Sequence, residues 1–425
     1  MLDRVQLRII ADYLAATRNE IAFDEMYLRK ARLDPEKVGF IPRVPKWFGL
    51  VGHRHRWFKI VWCFGRVFWL AGGALAFFLY EFVKFDWLRR VEGNPQHAAS
   101  VTSEGMVLEL SERTSKVVDS ARFSGLPSTW LTCPWVCQQP LPKNTFKVSL
   151  MSLVTRGDLI AALDCALRAT YILAHCRIHS RWVLQSYTAF RWFLVRRVVD
   201  RLSGKLVIVE HFDRWAILVD RSTRAQRLKR GCTHSLLLLQ HGTLVGPEAT
   251  PLATAWLRTL PTRLTCVDEL YTYNSQEERV FREAVLVEKP SKRGLRVFYF
   301  TPTITLSGEL SIGKPRLLFV GHPLCEVFHE AVYCDLRKMI NFEAYYKPHP
   351  TVRASKSIYD VGWTVIEDPV YFPRVELLIS YPSTLVLEYR QTGVSTLVHL
   401  LDARNDELSS FLEQALVEVT KFGLE

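Results

Sequence analysis

The 425-residue sequence lacks several motifs that would assign a function at once. It has no GxxxxGK[ST] phosphate loop, no GxGxxG after an apolar strand pattern, and no DxD in a loop context. These absences argue against P-loop nucleotide hydrolysis and against a simple dinucleotide-binding domain. They also leave no carboxylate pair that indicates a catalytic metal. The charged N-terminal pattern, MLDRVQLRIIADYL, has no uninterrupted apolar stretch and does not resemble a secretory signal.

The nine cysteines have no regular spacing. Cys133 and Cys137 stand close together in CPWVC, but the spacing is CxxxC and no second pair follows. We therefore expect no bound metal and no disulfide framework. Reduced thiols in a cytosolic setting are the simpler interpretation.

The chain is basic, with 55 Lys and Arg against 43 Asp and Glu, a formal net charge of +12. Such an excess favours an anionic partner, either nucleic acid, anionic lipid or a phosphorylated substrate. The basic residues are dispersed and no nucleic-acid recognition motif is present. We expect a membrane surface and a phosphorylated substrate as partners, and no nucleic acid.

The N-terminal 145 residues are predicted to be a helical, membrane-associating region with connectors. Apolar spacing predicts a helix over residues 2–30, and residues 91–145 are polar and rich in Pro, Ser and Thr. The uncharged run Val67–Tyr80 has 14 residues, whereas a bilayer crossing needs about 20. Basic and aromatic flanks favour a helix lying in the interface of an anionic membrane. A buried core helix and a true membrane span are the alternatives.

From residue 146 onward, apolar strand patterns alternate with helical ones, and the strands show no inside–outside alternation. This pattern is typical of parallel sheets covered on both faces. We predict an α/β protein with two Rossmann-like domains, residues 146–294 and 295–425. Polar side chains follow several strands, at the edge where ligands of such sheets bind.

In the first domain, Glu210 and His241 follow the patterns KLVIV and SLLLLQ, with Glu248 and Asp213 as further candidate bases. In the second, a nucleotide site is predicted from strand-end and helix-start residues: Gly321, Lys347, His349, Arg353, Ser383, Thr384 and Glu388. A glycine lets a ligand approach the backbone, and a helix start with hydroxyls binds phosphate. The alternatives are a plain helix cap at Ser383 and Thr384 and a structural turn at His349.

The order QHGT, YKPHP and S-x-x-ST-x-x-x-E, over roughly residues 200–400, resembles bacterial glycosyltransferases of the GT-B fold. It is most similar to those of capsule and lipopolysaccharide synthesis: polysialyltransferases, capsular Kdo transferases and CDP-glycerol glycerophosphotransferases. The resemblance implies two domains facing a cleft and a nucleotide-activated donor held by His349, Ser383 and Thr384. It implies His241 as general base, without a metal or other cofactor.

The resemblance further implies a glycan or glycolipid acceptor and a peripheral position on the cytoplasmic face of the bacterial inner membrane. The acidic-acidic-Gly motif of polysialyltransferases has no clear match, because Asp268 and Glu269 in VDEL lack the glycine. The donor sugar is therefore open, with CMP- or CDP-linked groups favoured and UDP-sugars as an alternative. A UDP-sugar 2-epimerase of the same fold and a non-catalytic scaffold are the rival interpretations.

Overall fold

The computed structural model describes most of the chain. The described residues are 4–30, 58–93, 105–120, 126–136, 145–175, 180–230, 234–244, 260–287, 294–308, 314–349, 354–368, 371–401, 403 and 406–421. Their contacts divide the chain into two compact units. The first unit comprises Met1–His241 with Thr254–Phe300, and the second comprises Gly242–Ala253 with Thr301–Glu425.

The first unit is built on a seven-stranded parallel sheet in the order β3-β2-β1-β4-β5-β6-β7. Its strands are β1 (Met106–Glu109), β2 (Thr129–Thr132), β3 (Phe146–Ser149), β4 (Lys205–Ile208), β5 (Ser235–Leu239), β6 (Val267–Thr272) and β7 (Arg296–Tyr299). The central strands β1, β4 and β5 are almost wholly buried, as expected for apolar strands covered on both faces.

The described part of the first unit contains nine α-helices. They are α1 (Arg4–Lys30), α2 (Phe58–Phe68), α3 (Ala74–Glu92), α4 (Arg113–Ser120), α5 (Leu150–Leu153), α6 (Arg156–His175), α7 (Ala189–Val199), α8 (Arg214–Arg230) and α9 (Ser275–Val280). Wider or tighter helical turns occupy Trp69–Gly73, Ser180–Thr188 and Phe281–Val285. The predicted N-terminal helix is confirmed, and Tyr13 packs on the rings of Trp192 and Phe193.

The sheet draws more strands from residues 91–145 than the sequence indicated. This stretch was expected to be connectors with one short helical or strand element, and it contains β1, α4 and β2. The further elements were missed because short buried strands flanked by Pro, Ser and Thr give little periodic signal. β7 pairs with β6 in the first sheet, although its sequence, RVFY, lies in the predicted second domain. The compact units therefore divide the chain differently from the boundaries at 145/146 and 294/295.

The second unit is built on a five-stranded parallel sheet in the order β10-β9-β8-β11-β12. Its strands are β8 (Arg316–Val320), β9 (Glu343–Lys347), β10 (Thr364–Val365), β11 (Leu377–Ser380) and β12 (Ser395–Val398). Its helices are α10 (Glu326–Met339), α11 (Lys356–Asp360), α12 (Thr384–Gln391) and α13 (Leu408–Thr420). Aromatic and aliphatic side chains of β8, β9, β11, α10 and α13 form its core. The two parallel sheets with their helices confirm the predicted α/β class.

Candidate functional site

Both sheets have a topological switch point, the place where successive strands begin to be added on the opposite side. In the first unit the order reverses between β1 and β4, and in the second between β8 and β11. Helices after such strands diverge to opposite faces and leave a crevice at the carboxyl edge, where open α/β sheets bind ligands. Most of the described candidate residues follow the strands at or beside these two points.

Glu210 follows β4 in the first unit and is buried. The Ser111 hydroxyl, which follows β1, donates a hydrogen bond to Glu210 Oε1 at 2.7 Å. Burial, followed by the negative charge of Asp213, raises the pKa of Glu210 to about 8. At neutral pH this carboxyl is mostly protonated. At this switch point, a carboxyl group with a raised pKa is therefore hydrogen-bonded to a half-buried serine hydroxyl.

His241 follows β5 and is neutral. Its Nδ1–H donates to the Val209 carbonyl oxygen, and its Nε2 accepts a hydrogen bond from Arg113 Nη1 at 2.9 Å. Burial and the nearby Arg113 cation lower the pKa of His241 to about 3. The lone pair that a general base needs is therefore engaged by a cation, which disfavours His241 as the predicted base.

His211 stacks on His241, with ring centroids 4.0 Å apart. Its Nε2 accepts from the His241 backbone N–H at 3.0 Å, so it fixes the turn after β5. Burial lowers the pKa of His211 well below its ordinary value. His211 thus holds the backbone of His241, and the His241 ring in turn holds Arg113 at the carboxyl edge of the sheet.

Other acidic candidates of the first unit have structural partners. The Asp213 carboxylate accepts from the backbone N–H groups of Trp215 and Ala216 at the start of α8. Asp268 accepts from the Arg227 guanidinium. Glu248 lies outside the described residues. Sequence reasoning missed Arg113 and Ser111, because the strand before them was not recognised.

Gly321 follows β8 in the second unit, but its lack of a side chain serves the core. A Cβ at this position would overlap the hydroxyl and ring of Tyr346. Tyr346 is fully buried and stacks on Trp363, with ring centroids 4.7 Å apart. The packing of Tyr346 therefore explains why residue 321 is a glycine, without the predicted approach of a ligand to its backbone.

Lys347, at the end of β9, is buried and engaged by the backbone. Its ammonium donates to the carbonyl oxygens of Asp368 at 2.8 Å and Tyr371 at 2.9 Å. The same ammonium lies 4.7 Å from the centre of the Phe372 ring. The predicted role of Lys347 in binding a donor phosphate has no support in this geometry, because the cation holds the loop after β10. Glu343, at the other end of β9, forms an ion pair with Arg316 and not with Lys347.

Three rings meet beyond β8, β9 and β11. The His322 ring centroid is 5.3 Å from that of His349 and 5.4 Å from that of Tyr381. His322 Nδ1 accepts from the Leu324 N–H at 3.2 Å, so Nε2 carries the proton. Burial, with a smaller contribution from His349, lowers the pKa of His322 to about 4. A neutral His322 offers one N–H donor at the switch point, and sequence reasoning passed over it although it precedes the proline in GHP.

Ser383 occupies the cap position of α12 without capping it. Its backbone is extended, yet its side chain accepts no hydrogen bond from the helix and lies 3.1 Å from Ser380 Oγ. Thr384 Oγ1 accepts from the Thr243 N–H at 3.3 Å, which leaves the threonine proton free to donate. The first N–H groups of any helix lack intrahelical partners. The start of α12 is therefore an uncapped donor surface.

Glu388 lies one turn further along α12, on the same face as Thr384. Burial raises the pKa of Glu388 to about 7. In the described parts of the chain, no hydrogen bond or ion pair involves this half-buried carboxyl. A carboxyl desolvated without compensation is costly, so Glu388 is a candidate for contact with a ligand. Arg353, the remaining predicted donor residue, lies outside the described residues.

Comparisons with known proteins show only distant likeness. No model of a protein family matches the chain, and no curated protein sequence matches it. A structure described as a candidate UDP-N-acetylglucosamine 2-epimerase from Listeria monocytogenes is 10% identical, with a TM-score of 0.40, over 76% of this chain and 88% of that one. A structure of the GtfA/B complex is 11% identical, with a TM-score of 0.29, over 53% of this chain and 52% of that one. Likeness at this level carries no argument about activity.

Proposed function

We propose that the protein is a glycosyltransferase whose second unit binds the nucleotide of an activated donor. The observation that carries this proposal is the uncapped start of α12 at the switch point between β8 and β11. One turn beyond it lies Glu388, which has no hydrogen-bond or ionic partner among the described residues. A donor diphosphate or monophosphate accepts hydrogen bonds from the free helix N–H groups and the Thr384 hydroxyl. Glu388 accepts hydrogen bonds from ribose hydroxyls.

Leaving-group stabilisation follows from the same arrangement. Negative charge grows on the departing phosphate as the bond to the sugar breaks, and the α12 dipole with the His322 and His349 donors stabilises that charge. In this proposal these donors stabilise the charge of the leaving group, and no bound metal or other cofactor takes part in this step. The order of motifs favours a CMP- or CDP-linked donor, with UDP-sugars as the alternative.

The first unit supplies the acceptor chemistry in this proposal. The pKa of Glu210, about 8, is closer to working pH than that of His241, about 3, and so suits a general base better. The Ser111 hydroxyl connects the buried Glu210 carboxyl with the carboxyl edge of the sheet. We assign proton removal from the acceptor hydroxyl to the ionised form of Glu210, whose share grows as the pH rises toward 8. Ser111 gives its proton to that carboxylate as it takes the proton of the acceptor hydroxyl. His241 instead positions Arg113, whose exposed guanidinium binds an anionic group of the acceptor.

Nucleotide release tests the assignment against its rivals. The purified chain is incubated with CMP-sialic acid, CMP-Kdo, CDP-glycerol or UDP-N-acetylglucosamine, with and without a bacterial membrane extract, and chromatography measures the free nucleotide. The proposal predicts release of one nucleotide, stimulated by the extract and abolished in His349→Ala. Leu228→Asp, a change at an exposed site, serves as the control. Free sugar without need of an acceptor would establish an epimerase, and no release from any donor would favour a scaffold.

We further propose that the segment from α2 to α3 lies in the interface of the inner membrane, on its cytoplasmic face. Within the described ranges, one helical run, Cys63–Glu92, is long and apolar enough to cross a membrane, and 17% of its most apolar window is buried. A kink at Gly72 divides the run. Its exposed apolar side chains are Phe64, Val67, Phe68 and Leu70 before the kink and Leu75, Leu79, Tyr80, Val83, Trp87 and Val91 after it.

Buried side chains of this segment fix it to the first unit. The Trp69 indole N–H donates to Ser186 Oγ at 2.9 Å, and the buried Glu81 carboxylate pairs with Arg191 at 2.5 Å. Phe85 stacks on Phe190. A segment bonded to a folded unit between Trp69 and Phe85 favours lying on a bilayer over crossing it. Lys84 and Arg90 are exposed cations that would meet anionic lipid.

Vesicle flotation tests the membrane proposal. Wild-type chain is expected to float with vesicles containing anionic phosphatidylglycerol, and the double variant Phe68→Asp with Val83→Asp is expected to remain at the bottom. Leu228→Asp with Val327→Asp is the matched control, because these two apolar side chains are isolated and equally exposed, at 71% each. Equal flotation of the two double variants would refute an interfacial role for these exposed side chains.

A further inference from the structure

A second cluster of chemically active side chains lies behind the nucleotide-binding edge of the second unit. Cys325, His329 and His399 are all buried, and one potential ligand atom from each lies within 4.8 Å of the others. None of the steps proposed above uses these three residues. They belong to two separate segments of the chain.

The sequence positions bring the three together. Cys325 is the residue that precedes α10, and His329 is four residues later, so both side chains lie on one face of the first turn. His399 directly follows β12. Because β11 lies between β8 and β12 in the sheet, the cluster connects the segments on both sides of β11.

The two imidazoles face each other through their Nε2 atoms, which are 2.7 Å apart. His399 Nδ1–H donates to the Leu400 carbonyl oxygen at 2.7 Å, so His399 Nε2 is a bare lone pair directed at His329. The Cys325 sulfur lies 4.0 Å from His329 Nδ1. The surrounding rings of Phe319, Phe328 and Phe411 contribute no polar group to the cluster.

We propose that Cys325, His329 and His399 supply three ligands of a zinc ion in the second unit, with a water molecule as the fourth ligand. One cysteine thiolate and two imidazoles are ligands that zinc prefers. The carboxylate of Glu326, buried beside Cys325, offsets part of the charge of the ion. The described residues of the two nearby features, the start of α12 and the ring cluster at His322, contribute no ligand to this group.

Binding requires both the imidazoles and the thiol to move, because the Cys325 sulfur now faces His329 Nδ1 while His399 faces His329 Nε2. In tetrahedral coordination, with zinc–nitrogen bonds of about 2.0–2.1 Å, two ligand nitrogens lie roughly 3.3 Å apart. The two Nε2 atoms, now 2.7 Å apart, would separate by roughly half an ångström. The Leu400 carbonyl already orients His399, as the outer partner of a zinc-bound imidazole does.

The ion would stabilise the two segments that lead into the proposed donor site. The Cys325 backbone N–H donates to the carbonyl oxygen of His322 at 2.9 Å, and the His399 backbone N–H donates to the Ser380 carbonyl oxygen at 3.0 Å. His322 lies in the ring cluster, and Ser380 ends the strand that leads into Ser383. A bridge between these two segments would fix the distance between the His322 donor and the start of α12.

Metal analysis of the purified full chain tests this proposal independently of any transfer activity. The expected content after dialysis against zinc and then buffer is about one zinc per chain, and a chelator is expected to lower the melting temperature. Cys325→Ser is expected to lose the metal and the chelator effect. Cys334→Ser, at an exposed cysteine of the same helix, is the matched control and is expected to keep both.

Cobalt replacement covers the case in which Cys325→Ser does not fold. Wild-type chain loaded with cobalt is expected to absorb in the near ultraviolet through sulfur-to-metal charge transfer. Absence of bound zinc and of this absorption, with an unchanged melting temperature in chelator, would overturn the proposal. The cluster would then be a hydrogen-bonded imidazole pair of the core.

Discussion

The switch points of the two units differ in how their polar groups are paired. In the first unit, Glu210 accepts from Ser111, and His241 is held between Val209 and Arg113. In the second, the side chain of Ser383 leaves α12 uncapped, and Glu388 has no hydrogen-bond or ionic partner among the described residues. In the first unit most of these polar side chains bond to one another, although His211 Nδ1 and Glu109 Oε1 are buried without a partner among the described residues. In the second unit the described partners leave the start of α12 and Glu388 without such bonds.

This difference teaches which unit depends more on a ligand. Unpaired, partly buried polar groups cost free energy, and a ligand that pairs with them recovers it. A network that is already paired changes less on binding but holds its members in fixed orientations. The second unit is thus suited to bind a nucleotide, and the first to position a base and a guanidinium.

The largest effect is expected from Gly321→Ala. A methyl group here would overlap the buried Tyr346, so the free energy of unfolding should fall by about 3 kcal/mol. Urea denaturation followed by circular dichroism measures the change. Gly294→Ala, where a Cβ would meet nothing within 4 Å, is the control. A stable Gly321→Ala variant that fails only to bind nucleotide would restore the prediction that Gly321 contacts a ligand.

The next effect concerns the pH dependence of nucleotide binding. With a pKa of about 7, Glu388 is mostly protonated at pH 6 and mostly ionised at pH 8, and the ionised form accepts hydrogen bonds from ribose. Nucleotide affinity should therefore rise about tenfold from pH 6 to pH 8. The affinity of Glu388→Gln is measured at the same pH values. Because the nucleotide phosphate titrates equally with both proteins, the difference between their pH profiles reports Glu388 alone.

Stability should change in the opposite sense with pH. The folded-state pKa of Glu388 is raised above its unfolded value, so its contribution is full below the unfolded pKa and is lost as pH rises through 7. In ligand-free protein, the free energy of unfolding of wild type should fall relative to Glu388→Gln from pH 5 to pH 8. Parallel curves for the two proteins would show that Glu388 is not perturbed by burial.

The smallest effect tests the first unit. Removal of the cation in Arg113→Ala should raise the pKa of His241 by about one unit, although burial still holds it below its ordinary value. Nitrogen chemical shifts of the ring measure the pKa and the tautomer, and Arg224→Ala is a control at another arginine of the first unit. If the shifts of His241 Nε2 do not change, the bond with Arg113 is absent and His241 returns as a candidate base.

The sequence predicted those parts of the molecule that have strong periodic patterns. The apolar strands RLLFV and SLLLL were located with the polar residues that follow them, because fully buried parallel strands stand out against their flanks. The helix at Thr384 and the position of Glu388 on it followed from its spacing.

The remaining features depend on pairing between distant segments. β1 is four residues long and lies in a polar stretch, so Ser111 and Arg113 could not be placed at a strand end. The neighbour of Gly321 is a side chain of the adjacent strand, Tyr346, which no local pattern indicates. Only the strand order shows that β8 and β11 are neighbours and that His322 belongs beside α12.

The central claim, a nucleotide site at the switch point of the second unit, is tested most directly by calorimetric titration of the full chain with CMP, CDP, UDP and GDP. The account predicts one saturable site selective for one nucleotide base. It also predicts that Thr384→Val with Glu388→Ala weakens binding at least tenfold, whereas Arg113→Ala leaves it unchanged. Binding that survives the Thr384 and Glu388 changes, or no heat with any of the four nucleotides, would contradict it.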